Sequence, residues 1–227
     1  MTVESPVSQR VTITSLLLLT FATGLVDAVS VLKLGHVFVA NMTGNVIFLG
    51  FWLVPHSGVD VIAALVAFVS FVSGAVVGGR LARHLGTDVR RWLTITLTFE
   101  VLMLVALSVL AGAGVLDYRD DTKLLLIAGL SLAFGVQNST AQQFGIQELS
   151  TTVLTTTIVR IGFDSRMAGG TGERERLRYC VVLTMCAGAV VGATMTRFTV
   201  APIIALAAAL VAISAVLFWF GGRRPRV

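Results

Sequence analysis

The chain of 227 residues is 56% hydrophobic and 13% charged, with a mean hydropathy of +0.89 and a net charge of +5. Soluble domains carry about 25% charged residues, so this composition excludes a soluble domain and predicts one membrane domain covering residues 1–227. The basic residues lie in short loops between apolar stretches, which is typical of membrane topology. We therefore expect the lipid bilayer, and no nucleic acid, as a partner.

Eight apolar stretches follow one another along the chain. A full crossing needs about 20 residues, and the second and sixth stretches are shorter and more polar than that. We predict an all-α integral membrane protein with six full spans plus two short re-entrant or broken helices. The alternative is eight crossings in two parallel four-helix units. The stretches are 11–33, 37–54, 61–81, 92–111, 124–144, 149–161, 179–195 and 200–220.

The distribution of Lys and Arg favours six crossings over eight. Six crossings place twelve of these residues on the side of both termini and three on the other side, whereas eight crossings give ten against five. Cytoplasmic loops carry the excess of positive charge. The sequence thus predicts an inner-membrane protein with both termini in the cytoplasm.

Two parts of the chain resemble each other. Gly74-Ala-Val-Val-Gly-Gly79 recurs 114 residues later as Gly188-Ala-Val-Val-Gly-Ala193, and Gly24-Leu-Val-Asp27 falls opposite Gly135-Val-Gln-Asn138. The small-xxx-small spacing inside the first pair is typical of close helix packing. We assign that packing role to Gly74, Gly78, Gly188 and Gly192.

This similarity predicts two repeated halves, residues 11–112 and 122–221. A duplicated unit with three crossings must insert its two copies in opposite orientations, as in the inverted repeats of many secondary transporters. Such transporters build their sites from discontinuous helices at matching positions in both halves. The polar, glycine-marked stretches 24–50 and 135–162 occupy matching positions here.

Polar residues within these apolar surroundings form the candidate substrate or ion pathway. An intramembrane carboxylate is costly and is by default a functional candidate. Asp27 could be a proton or cation site, or it could make a structural hydrogen bond to a helix start or to Thr43. Glu100 should be protonated or paired if it faces the bundle, either for proton coupling or as a neutral structural acid. The full set is Asp27, Asn41, Thr43, Asn45, Glu100, Gln137, Asn138 and Thr155.

Other polar residues carry less functional signal. Lys33 and His36 flank a glycine at the end of a segment, where long side chains reach the membrane surface. Cys180 and Cys186 are six residues apart on one predicted helix, so they face different directions and predict no disulfide. The three histidines show no metal-ligand spacing. The sequence contains no catalytic signature, and we expect no enzyme activity, no metal and no cofactor.

Two stretches carry a resemblance to a known family. GLVDAVSVLKLGHVFVANMTGNVIFLG at 24–50 and GVQNSTAQQFGIQELSTTVLTTTI at 135–158 resemble the YoaK-type bacterial membrane proteins, and the similarity covers nearly the whole chain. The resemblance implies six membrane spans and brings no established substrate. Thr156 stands where the family pattern favours a glycine, so the resemblance does not imply a backbone turn there.

These observations predict a small inner-membrane transporter or permease for a small solute or ion, which Asp27 or Glu100 could couple to protons. The alternative is a membrane scaffold or accessory subunit that transports nothing, in which the polar residues serve assembly. A homo-oligomer is compatible with either function.

Overall fold

The computed structural model describes residue 5 and residues 7–54, 58–85, 88–143 and 154–221. Eight α-helices lie within these ranges, and 3-10 turns follow α2 at Gly50–Leu53 and α6 at Arg166–Ala168. The helices are α1 Gln9–Lys33, α2 Met42–Leu49, α3 Val61–Leu85, α4 Val89–Gly112, α5 Lys123–Gln142, α6 Leu154–Phe163, α7 Glu175–Met195 and α8 Ala201–Phe220.

Six helices of the described chain are long and apolar enough to cross a membrane, namely α1, α3, α4, α5, α7 and α8. The other two are short. At 1.5 Å per residue, α2 with 8 residues and α6 with 10 extend only ~12 and ~15 Å, against a hydrocarbon core of ~30 Å. The prediction of six spans with two short helices is confirmed, and helices of this length do not fit eight crossings.

Local sequence signals set the ends of the first helix. Ser8 precedes α1, and its hydroxyl accepts a hydrogen bond from the Val11 amide at 3.4 Å, which satisfies one of the free amides of the first turn. The helix ends at Lys33. Gly35 and His36 then take positive φ angles of 103° and 61°, so the chain turns sharply away from the helix axis.

One face of the bundle gathers the start of α1, the start of α4 and the end of α8, and we call it the terminal face. The Arg90 guanidinium of α4 donates to the Gly221 carbonyl at 3.0 Å. A Cβ atom added at Gly221 would collide with Val7, which lies just before α1. Both ends of the described bundle therefore lie on the same face.

The opposite face gathers the end of α1 with the starts of α3 and α5, and we call it the Lys33 face. Lys33 Nζ lies 5.7 Å from the centroid of the Tyr118 ring. Asp60, just before α3, forms an ion pair of 2.7 Å with Lys123 at the start of α5. Partial burial raises the pKa of Asp60, but hydrogen bonds from Lys123 and the Ala63 amide outweigh it and lower the pKa below its usual value.

The segment between α1 and α3 leaves and returns to the Lys33 face. A Cβ atom at Gly35, just after α1, would lie 3.3 Å from the Cβ of Asp60, just before α3. Both ends of residues 34–60 are thus on one side, although α2 lies between them. We name residues 34–49 the re-entrant segment. Its hydrogen bonds to Asp27 show that it enters the helix bundle.

Close contacts at glycine pair the helices of the bundle. A Cβ atom at Gly24 of α1 would collide with the Met185 carbonyl of α7, and Gly188 and Gly192 of α7 lie equally close to the α1 backbone. Gly74 of α3 lies equally close to the backbone of α5, and a Cβ atom at Gly78 would collide with the Ser139 hydroxyl of α5. Because the missing side chains let two backbones meet directly, α1 packs on α7 and α3 packs on α5.

The two pairs use matching positions of the chain. Gly24 meets the carbonyl of Met185, and Gly135 meets the carbonyl of Phe71. Gly24 and Gly135 are 111 residues apart, and Phe71 and Met185 are 114 apart, which are the offsets seen in the sequence similarity. These matched contacts are those that two similarly folded halves would make. The inverted arrangement of the halves stays a prediction.

Candidate functional site

Asp27 binds the backbone of the re-entrant segment. Its carboxylate oxygen Oδ1 accepts hydrogen bonds from the Val39 amide at 2.8 Å and from the Ala40 amide at 2.9 Å, while Oδ2 accepts one from the side-chain amide of Asn41. Asp27 is only 4% exposed. The predicted contact between Asp27 and the 41–45 stretch is therefore present, through Asn41.

These bonds place the segment deep in the bundle. Asp27 lies six residues before the end of α1 at Lys33, which corresponds to ~9 Å along the helix axis. Val39 and Ala40 are fully buried, and buried amides without acceptors are destabilising by about 1–3 kcal/mol each. Asp27 thus supplies the acceptors that allow a non-helical stretch of chain to enter this depth. It also lies beside the start of α2, where the helix dipole favours negative charge.

Asn45 holds the same segment from the other side. The Phe38 amide donates to Asn45 Oδ1 at 2.9 Å, and Asn45 Nδ2 donates to the Phe38 carbonyl. The side chain of Asn45 is fully buried. Residues 38–41 are therefore fixed between a carboxylate on α1 and an amide on α2, and we call this arrangement the Asp27 clasp, formed by Asp27, residues 38–41 and Asn45.

A groove-like cavity of about 560 Å³ lies beside the Asp27 clasp, between α1 and α7. It is open on its outer side, where Leu32 and Val190 are about half exposed. Among the predicted pathway residues, Asp27 and Asn41 line it. The other lining residues are apolar or contain sulfur. They are Gly24, Ala28, Val31, Leu32, Phe38, Leu154, Val182, Met185, Cys186, Ala189, Val190 and Ala193.

The threonines of the predicted pathway lie elsewhere. Thr43 and Thr155 are both exposed on their short helices and do not line the cavity, and Thr43 is not the partner of Asp27. Thr157, three residues after the start of α6 at Leu154, is buried instead, at 1% exposure. Sequence reasoning missed it, although it is the residue that falls opposite Asn45 in the repeat. Residues 149–153 of the sixth apolar stretch lie outside the described residues.

Gln137 and Asn138 of α5 are buried but apart from the cavity. Gln137 Nε2 donates to the hydroxyl of Thr23 on α1 at 3.3 Å, which links the first helices of the two halves. Asn138 Nδ2 donates to the Phe134 carbonyl of its own helix at 2.9 Å. Asn138, at the position that matches Asp27, therefore carries a bond within its helix.

Glu100 lies in the middle of α4 and is fully buried. Within the described part of the chain, neither of its carboxylate oxygens has a hydrogen-bond partner, and it does not line the cavity. The position that matches it in the other half is Ser214, whose hydroxyl donates to the Ser15 carbonyl at 3.2 Å. The sequence predicted that Glu100 would be protonated or paired, and no pair is present among the described residues.

The architecture defines a class: a multi-pass α-helical membrane protein in which a buried carboxylate of a spanning helix holds a re-entrant segment. Residues 15–217 match the family described as "Protein of unknown function (DUF1275)", and the chain belongs to this family. It is 34% identical over 157 residues to the "UPF0700 transmembrane protein YoaK" of Bacillus subtilis (strain 168), a match that covers 67% of this chain and 65% of that protein. No solved structure matches.

Proposed function

We propose that the protein is a small transporter of the bacterial inner membrane, with both termini in the cytoplasm, and that Asp27 couples proton binding to movement of the re-entrant segment. One observation carries the proposal: Asp27 both holds the segment and lines the cavity of about 560 Å³. A cavity of this volume is in the range of small-molecule sites.

The coupling follows from the chemistry of a carboxylate. Ionised Asp27 accepts charge-assisted hydrogen bonds from Val39 and Ala40, and these are about twice as strong as bonds between neutral groups. A proton on Asp27 weakens them and adds a donor that competes with Asn41. Protonation therefore loosens residues 38–41, which border the cavity through Phe38 and Asn41.

The test is a flux measurement in liposomes that contain the full chain and the trapped pH dye pyranine. Amines, carboxylates and alkali cations are added one at a time, and proton movement is recorded. We expect at least one class to drive a proton flux that Asp27→Asn abolishes. Asp60→Asn serves as the control, because Asp60 lies at the Lys33 face and outside the clasp. No flux of protons or labelled solutes with any class would reject transport.

A membrane scaffold or accessory subunit is the second candidate, and a specific observation favours it. The Asp27 carboxylate already accepts three hydrogen bonds from the segment, which is the role of a structural aspartate. For a scaffold, Asp27→Asn should change neither fluxes nor assembly, because the amide oxygen still accepts from Val39 and Ala40. Co-purification of a stoichiometric membrane partner with the native protein and with Asp27→Asn would support this function.

A further inference from the structure

The cavity beside the Asp27 clasp is lined by few polar side chains, and one of them is a carboxylate. It is bordered by α1 and α7, and among the described residues its polar side chains are one carboxylate, Asp27, one amide, Asn41, and the thiol of Cys186. Within the described ranges, no Lys, Arg or His lines it. The wall is otherwise apolar, with the ring of Phe38 and the thioether of Met185 among its members.

The polar groups of the wall that can bind a ligand are hydrogen-bond acceptors. Of the roughly four lone-pair directions of the Asp27 carboxylate, three accept bonds from the re-entrant segment. Because Asn41 directs its NH₂ group at Asp27, its carbonyl Oδ1 is the other acceptor. The backbone amide of Asn41 is a further donor to the Asp27 carboxylate. No donor from outside the re-entrant segment reaches either oxygen within the described chain.

Charge points in the same direction. No described Lys, Arg or His forms an ion pair with Asp27, so among the described residues only amide donors and the start of α2 offset the negative charge that an ionised Asp27 presents to the cavity. In apolar surroundings such a charge interacts with an opposite charge much more strongly than in water. It repels carboxylates and phosphates for the same reason. The ring of Phe38 adds a face that attracts cations.

We propose that the cavity binds a small organic ammonium ion with an apolar body, whose N–H groups donate to Asp27 Oδ2 and Asn41 Oδ1. The ammonium group satisfies the two acceptors and the charge, and the apolar body fills the aliphatic wall formed by α1 and α7. That this ligand is the transported substrate rests on the proposed function; that it binds does not.

Cys186 supplies a direct readout of occupancy. It lines the cavity, whereas Cys180, on the same helix, does not. The full chain in detergent is prepared as Cys180→Ser, which leaves Cys186, and as Cys186→Ser, which leaves Cys180. The rate of N-ethylmaleimide labelling is measured with 2-phenylethylammonium, ethylbenzene or phenylacetate. These probes share a ring and differ in having a cation, no polar group or an anion.

We expect 2-phenylethylammonium to slow labelling of Cys186, by about tenfold at ten times its Kd, and to leave labelling of Cys180 unchanged. Phenylacetate should give no protection. Asp27→Asn should reduce the protection by the ammonium ion to that given by ethylbenzene. Equal protection of Cys186 by all three probes, or no protection by the ammonium ion, would overturn the proposal. Because the three probes are compared on protein with native Asp27, this result does not depend on whether Asp27→Asn folds.

The same probes separate this inference from the proposed function. Protection of Cys186 by the ammonium ion without any proton or solute flux in liposomes keeps the cation site and rejects transport. A flux driven by an anion, with no protection by the ammonium ion, keeps transport and rejects the cation site.

Discussion

Asp27 stabilises the re-entrant segment by accepting hydrogen bonds from the Val39 and Ala40 amides. Removing the carboxyl group with Asp27→Ala leaves the buried amides of Val39 and Ala40 without acceptors, and each such group costs about 1–3 kcal/mol. We expect Asp27→Ala to lower the free energy of unfolding by about 2–6 kcal/mol and Asp27→Asn to lower it by much less. Thermal unfolding of the purified protein in detergent measures both.

Thr43→Ala is the matched control for this prediction. Thr43 lies in the same segment, two residues beyond Asn41, but is exposed. Its replacement should leave the unfolding midpoint unchanged. Equal losses for Thr43→Ala and Asp27→Ala would mean that the segment is not held through the carboxylate.

For Glu100 we expect that replacing the carboxyl group by an apolar side chain raises the stability of the protein. A fully buried carboxyl group without a partner destabilises the fold, because burial of an unbonded polar group costs about 1–3 kcal/mol. Glu100→Leu should therefore raise the midpoint of thermal unfolding, whereas Glu100→Gln, which keeps a buried polar group, should not. A lower midpoint for Glu100→Leu would show that the carboxyl group has a bonding partner in the membrane.

The sequence identified the buried acids but not what surrounds them. The cost of a charge in lipid predicts that Asp27 and Glu100 face the protein, and both are buried. The partners of Asp27 are backbone amides, whose positions depend on the turn at Gly35 and His36, and no pattern of residue types encodes that path. The exposure of Thr43 could not be predicted, because α2 has no clear apolar face from which the orientation of this side chain could be read.

At the scale of elements, glycine decides where helices meet. A Cβ atom at Gly74 of α3 would collide with the Leu132 carbonyl of α5, and a backbone contact can move only if the helices separate. Gly74→Ala should therefore destabilise the protein by about 1–3 kcal/mol or more. Thermal unfolding and the yield of folded protein after extraction are the measurements.

Gly79 provides a control on the same helix. A Cβ atom there has only the Arg83 guanidinium within 4 Å, at 3.7 Å. Gly79→Ala should be neutral or should stabilise α3 by about 0.4–1 kcal/mol, since alanine reduces the entropy of the unfolded chain. Equal destabilisation by Gly74→Ala and Gly79→Ala would contradict the close contact of α3 with α5.

The lengths of the elements were more predictable than their pairing. Hydropathy and length identify the six spans, because a spanning helix must be apolar over about 20 residues. Glycine spacing points to contact surfaces but does not say which helix is the partner. Gly24 and Gly135, which lie at backbone contacts, were noted only as repeat positions because neither belongs to a small-xxx-small pair of glycines.

For the whole molecule, the two faces give a test of orientation. The terminal face should be cytoplasmic, because most Arg residues lie in the loops on that side. With the native cysteines replaced, a membrane-impermeant maleimide applied to intact cells should label Asp121→Cys, on the Lys33 face, and not Met167→Cys, between α6 and α7. Both positions are exposed and should react after permeabilisation. Labelling of Met167→Cys alone would reverse the orientation.

The pairing of α1 with α7 also has a consequence for biogenesis. α1 ends at residue 33 and α7 begins at residue 175, so a ribosome must add more than 140 residues before α1 meets its glycine-matched partner. The Asp27 clasp, by contrast, joins residues only 12–14 positions apart and can close as soon as the re-entrant segment has been synthesised. The nascent chain can thus shield its costly carboxylate long before the bundle is complete. The surface of α1 around Gly24 meanwhile stays in lipid or against an insertion factor, and final assembly of the fold waits for the last third of translation.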